Sequence, residues 1–150
     1  MLLIAKVYSE LSEEQLWNVY DGNCDTVWYI QRDFFTMPET MCCVWVVNEL
    51  YCSILRLEPY MDGYLITGLE TPVQFRRNGY AEQLIRSAIK YLFDRDVQII
   101  YSHIENRNVA SVVLHKKIGF AKIYDYAKYV DGTISANAAT FLISNINRTE

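Results

Sequence analysis

The sequence lacks most of what would take it out of the ordinary globular class. Its longest apolar run, Met41–Val47, is seven residues, where a membrane-crossing helix needs about 20; no membrane span and no membrane partner are expected. Met1-Leu2-Leu3-Ile4-Ala5 carries no basic residue ahead of its apolar stretch, and no small-residue cleavage site follows, so no export signal is read here. Cysteine is sparse: Cys24, Cys42, Cys43 and Cys52 show neither the CxxC nor the Cys/His spacing of a zinc site or redox pair, and no metal is expected. Free cysteine packs as a small hydrophobe, so the four read as reduced core residues of a cytoplasmic protein. Only three prolines, no repeats and no low-complexity tract interrupt the chain. Residues 1–150 are therefore expected to form a single domain with one core.

What is present is burial capacity. With 51% hydrophobic, 14% aromatic and 21% charged residues, disorder and collagen-like structure are excluded. The net charge of −4 hides an asymmetry. Ser9–Thr40 holds seven acids against Arg32, whereas Arg76–Val130 holds ten bases against five acids. Such a chain could hold a cationic ligand on one side and an anionic one on the other, or merely present solvated faces of opposite sign. An acidic total without a dense basic and aromatic stripe argues against nucleic acid as a partner.

Local patterns give the elements. Leu2–Tyr8 reads as a strand, and Ser12 with Glu13, Glu14 and Gln15 as an N-cap opening a helix to about Tyr20. Asp21-Gly22-Asn23 breaks that helix, and Thr26–Phe35 reads as a second. Met41–Val47, Tyr51–Leu57 and Tyr64–Thr71 read as an antiparallel meander with turns at Asn48-Glu49 and Met61-Asp62-Gly63. From Ala81 to Phe93 apolar residues recur at helical spacing. Val97–Ile104 is a strand. Asn108 then caps a helix that runs to Ile118 and stops at Gly119, and Ala121–Val130 and Ala139–Ser144 close the chain as strands. The pattern predicts an α/β (α+β) fold: a mixed sheet of about seven strands flanked by about four helices.

Two segments carry chemistry. Arg76-Arg77-Asn78-Gly79-Tyr80-Ala81 lies between a strand and the most regular helix, where backbone N–H groups and the helix dipole suit phosphate oxygens. It lacks the signatures of a mononucleotide or dinucleotide site; taken alone, it also reads as a plain connection. The second segment is Asn108-Val109-Ala110-Ser111-Val112-Val113-Leu114-His115-Lys116-Lys117-Ile118-Gly119-Phe120. Together they resemble the GNAT superfamily of acyl-CoA-dependent N-acetyltransferases: the first matches its (Gln/Arg)-x-x-Gly-x-(Gly/Ala) loop, the second its Asn-x-x-Ala-x-x-Leu-Tyr-x-x-x-Gly-Phe helix. The matches cover Gly68–Phe120, about a third of the chain.

The resemblance implies acetyl-CoA as co-substrate, with its diphosphate on the N–H groups of Arg77 to Ala81, beside Arg76. It implies that the pantetheine arm lies between the strand carrying Leu69, Glu70 and Thr71 and the strand carrying His103, with Asn108 hydrogen-bonding that arm. Asn108, Ser111 and His115 stand at i, i+3 and i+7 on one helical stripe and could face one extended ligand. Ala110, Val113, Leu114 and Ile118 read instead as core. The family most often has tyrosine, the acid for the departing thiolate, where this chain has His115. An imidazole with pKa near 6.5 can donate a proton at neutral pH; a histidine that only packs or caps is the alternative.

Amine acetylation needs a neutral nitrogen, so something must accept a proton. The resemblance to ribosomal-protein N-terminal acetyltransferases puts His103 where they carry a glutamate base, five residues before the asparagine. Glu70 is the second candidate, directly or through water, and water alone is a third route. A backbone N–H at Leu69, Glu70 or Thr71 would hold the oxyanion, since Pro72 has none. The acids Asp21, Asp25 and Asp33, among aromatic residues of the two N-terminal helices, could attract a cationic amine. The expected activity is acetyl transfer by direct attack of a primary amine, small molecule or peptide N-terminus, with no metal. A non-catalytic CoA-binding module and a structural interaction domain are the competing readings, and a homodimer is left open.

Overall fold

A computed structural model of the chain describes residues 1–145. Seven strands form one sheet: β1 (Leu2–Ala5), β2 (Met41–Val47), β3 (Leu50–Tyr60), β4 (Gly63–Glu70), β5 (Ile99–Glu105), β6 (Ala121–Tyr124) and β9 (Ala138–Ser144). Their order is β1-β2-β3-β4-β5-β9-β6, and β7 (Ala127–Lys128) with β8 (Ile134–Ser135) makes a separate two-stranded ribbon. Four α-helices, α1 (Glu13–Val19), α2 (Cys24–Arg32), α3 (Tyr80–Phe93) and α4 (Val109–Ile118), complete the mixed α/β fold. The pairing of β4 with β5 is parallel, as expected of strands joined through a crossover helix, here α3. The chain divides into two compact units, Met1–Glu58 with Gly68–Ala88, and Pro59–Thr67 with the residues from Ile89 onward.

In the first unit the helix starts are set by side chains. Ser12 Oγ accepts from the Gln15 N–H at 3.2 Å and Asn23 Oδ1 from the Thr26 N–H at 3.2 Å, which satisfies donors that a helix end leaves open. Leu16, Val19, Val27, Ile30 and Phe34 cluster with Ala5, Cys42, Val44 and Ile54 of the strands. Each such side chain, fully buried, contributes roughly 1.5–3 kcal/mol. Arg56 lies among these aromatics, donating to Tyr20 Oη at 2.9 Å and standing over the rings of Tyr29 and Phe34.

In the second unit β5 lies between β4 and β9, in register Tyr64↔Ile100 on one side and Tyr101↔Leu142 on the other. Tyr60, Leu65 and Tyr101 form a core cluster with Ile99 and Leu142 packed on it. Gly63 is required at the start of β4, because a Cβ there would fall 1.9 Å from the Ile99 carbonyl oxygen.

Several elements differ from the sequence reading. β1 stops at Ala5, not Tyr8, because the Glu10 carboxylate accepts from the N–H groups of Lys6 and Val7 and closes a 3-10 turn. The second helix begins at Cys24, since Asn23 caps it, and ends before Asp33. Cys24 is therefore half-buried at a helix start and not a core residue, whereas Cys42, Cys43 and Cys52 are buried and all four thiols are free. Ala121–Val130 is not one strand: the register slips between Lys122 and Tyr124, and the chain leaves the sheet to form the β7–β8 ribbon. Ala110 and Val113, expected in the core, are exposed; His115 is the buried residue of α4.

Candidate functional site

The turn ahead of α3 is built to leave amides open. Arg76 Nε donates to the Thr71 carbonyl oxygen at 2.8 Å, and Asn78 Nδ2 reaches the carbonyl oxygens of Phe75 and Arg76 at 3.0 and 3.2 Å. Arg77 and Gly79 take left-handed backbone, φ 66° and 76°, a conformation costly for an arginine and free for glycine. The Gln83 N–H bonds the Gly79 carbonyl oxygen at 3.0 Å. The N–H groups of Arg77, Asn78, Gly79, Tyr80 and Ala81 donate to no protein acceptor there. Five open donors at the positive end of a 14-residue helix favour an anion.

Gly68, within β4, has φ 61°, and a Cβ there would stand 2.6 Å from the Arg56 guanidinium. Positive φ inside a strand re-aims the residues that follow. Beyond it Ser53 Oγ donates to the Glu70 carbonyl oxygen at 3.2 Å and bonds the Thr71 hydroxyl at 2.8 Å. Leu69 is half-buried and the Glu70 side chain is exposed.

In the second unit the parallel register of β4 and β5 has Ile66↔Ser102 as its last pair, so Thr67 and His103 come just after it. The His103 ring stands between those of Tyr60 and Tyr129, at 5.4 and 5.0 Å. Both ring nitrogens are buried without a hydrogen-bond partner among the described residues. Burial alone lowers the pKa of this imidazole, so it is neutral at pH 7 with a lone pair free. Composition gave no signal for Tyr60 and Tyr129 as its neighbours, because both reach it from other elements.

Asn108 Oδ1 accepts from the Ser111 N–H at 3.2 Å and so caps α4; its Nδ2 has no protein partner among the described residues. His115 is 1% exposed. Its Nε2 bonds the Ser102 hydroxyl at 3.0 Å, its Nδ1 the Ser111 backbone oxygen at 2.8 Å with Ser111 Oγ at 3.3 Å, and its ring packs on Phe120. Both nitrogens are thus occupied. Among the described residues no group of three or more His, Cys, Asp or Glu is placed to hold a metal, and no helix is long and apolar enough to cross a membrane.

The strand order, the parallel crossover through α3 and the amide-lined turn ahead of it define the class, a mixed α/β fold with an anion-suited helix start. The chain belongs to the acetyltransferase (GNAT) family, whose model matches residues 4–120. Among solved structures it is similar to the ribosomal-protein-S18-alanine N-acetyltransferase of Escherichia coli, with 14% identity, 96% of this chain and 94% of that chain covered, and a TM-score of 0.69. It is similar to an acetyltransferase of Bacillus subtilis in complex with CoA, at 15% identity, 95% and 97% coverage and a TM-score of 0.68. A third is an aminoglycoside 6'-acetyltransferase type Ii, at 13% identity, 96% and 97% coverage and a TM-score of 0.72. A comparison with curated proteins gives no match.

Proposed function

We infer that the protein transfers the acetyl group of acetyl-CoA to a primary amine, a small molecule, in the cytosol. The family match runs through both compact units, which supports treating the chain as one acetyltransferase domain. The observation that carries the reading is the set of five open amides from Arg77 to Ala81, where the CoA diphosphate would lie with Arg76 and Arg77 close by. The open Nδ2 of Asn108 would serve the pantetheine arm, while Ser111 shapes the same helix start.

The amine nitrogen attacks the thioester carbonyl carbon, an N–H on Leu69, Glu70 or Thr71 steadies the oxyanion, and the C–S bond breaks to release CoA. The amine's proton goes to His103, whose neutral and unbonded imidazole can take it; exposed Glu70 is the alternative through water. The departing thiolate needs little help, since a thiol of pKa near 8.5 is only modestly basic. We therefore assign His115 to holding α4, and the thiolate's proton to solvent.

The test is release of free CoA thiol from acetyl-CoA with a panel of small amines and peptide N-termini. Turnover on small amines, reduced at least tenfold in His103→Gln, is expected. Absence of release with every amine would remove the enzymatic reading, and preference for peptides would replace its acceptor.

A further inference from the structure

His103 is the one histidine left with open nitrogens, and two unlike walls close it in. Buried polar atoms without partners cost stability and call for an explanation. Tyr60 is a fixed wall: it is 8% exposed, packs on Tyr101 at 5.2 Å, and its hydroxyl donates to the Lys128 backbone oxygen. Tyr129 is 39% exposed, and its hydroxyl has no partner among the described residues. It follows directly on β7, where its backbone is fixed, its N–H donating to the Thr133 carbonyl oxygen at 2.8 Å and its own carbonyl oxygen accepting from Gly132 at 2.9 Å, so that only its side chain is left to move. Tyr129 also lines a cleft of about 490 Å³ together with Glu105, Asn106, Arg107, Ser135 and Asn137.

We propose that Tyr129 is the movable wall of the acceptor site: an amine enters the cleft beneath the ribbon, and the Tyr129 ring swings off His103 to admit it. Of the two rings against His103, Tyr60 is the one the core holds. The lining also names the class of acceptor. Glu105 and Arg107 neutralise each other at 3.0 Å, so the cleft does not select on charge. Asn137 and Ser135 present an amide and a hydroxyl, which suit an amine carried on a neutral body bearing hydroxyl or amide groups. Tyr129 is thereby the residue that sets the KM of that amine. The proposal rests on the reading of His103 as proton acceptor.

The wall can be tested without turnover. Diethyl pyrocarbonate acylates accessible neutral imidazoles, and the chain has two histidines, so peptide mapping by mass spectrometry reads His103 against His115 in one digest. In the parent both react slowly. Tyr129→Ala should speed His103 at least tenfold and leave His115 unchanged, while Tyr129→Phe, which keeps the ring, should react as the parent does. An unchanged His103 rate in Tyr129→Ala, or a parent rate equal to that of the urea-unfolded chain, overturns the proposal. If both histidines accelerate together the fold has been lost, and Tyr129→Leu decides by the same readout, a selective gain supporting the wall and no gain sinking it. In turnover, Tyr129→Ala should raise the KM of a hydroxyl-bearing amine at least fivefold with the KM of acetyl-CoA unchanged; equal shifts in both contradict it. A chain that gates His103 yet releases no CoA would remove the enzymatic reading and leave the wall standing.

Discussion

The Nδ1–H of His115 donates to the backbone oxygen of Ser111 at 2.8 Å, one turn earlier on α4, and thereby sets the tautomer of a buried imidazole. A carbonyl oxygen can only accept, so the proton sits on Nδ1 and Nε2 takes the Ser102 hydroxyl at 3.0 Å. Helix α4 is in this way tied to β5 by a single side chain.

His115→Ala should cost about 2–4 kcal/mol, from the cavity and from the Ser102 hydroxyl left without its partner. Urea unfolding followed by circular dichroism measures it. A variant as stable as the parent would show that the imidazole does not tie α4 down.

Acid should destabilise the protein before its carboxylates titrate. Burial lowers the pKa of His103 and His115 below 6.5, so the unfolded chain takes up protons first as pH falls. Stability is then lost from about pH 6.5 downward until the folded-state values are passed. Half-buried Glu58, its carboxyl pushed up by burial, acts with the opposite sign nearer the carboxylate range. The urea midpoint at pH 5.0 should lie below that at pH 7.5 with an unchanged m-value; equal midpoints would contradict this.

Gly63→Ala should be among the most damaging single changes in the chain. The new Cβ would meet the Ile99 carbonyl oxygen at 1.9 Å, a backbone atom in β5 that cannot swing aside. A loss of about 3 kcal/mol is expected, read as a fall in the thermal midpoint. Gly22→Ala is the control for glycine replacement itself, since its added Cβ meets nothing within 4 Å and only its φ of 75° is unfavourable.

Gly79→Val should weaken CoA binding at least tenfold with little change in unfolding midpoint. The φ of 76° is unfavourable for a branched residue, so the turn relaxes and its amides lose their common direction. Isothermal calorimetry with CoA checks this, and an unaltered Kd would mean that the turn does not hold the diphosphate.

Much of the fold was legible because its causes are local. Ser12, Asn23 and Asn108 cap their helices through bonds to residues three positions on, and the apolar spacing of α3 follows from the helix period. The amide turn was legible for the same reason, as a strand, six residues and a helix start. What was not legible depended on distant neighbours. The strand expected over Ala121–Val130 breaks where Thr140, from β9, donates its hydroxyl to the Tyr126 carbonyl oxygen at 2.7 Å. Val113 looked like core by type, yet α4 turns Ser111 and His115 inward instead.

The amino-acid order on its own therefore determined most of the elements, the caps of α1, α2 and α4 and the turn that opens α3, since each rests on contacts within a few residues. Only the tertiary structure decided which histidine is spent and which is open. Two imidazoles twelve residues apart start with the same chemistry; β5 gives one of them a serine hydroxyl, and tyrosines from β3 and the ribbon give the other walls without a hydrogen-bond partner.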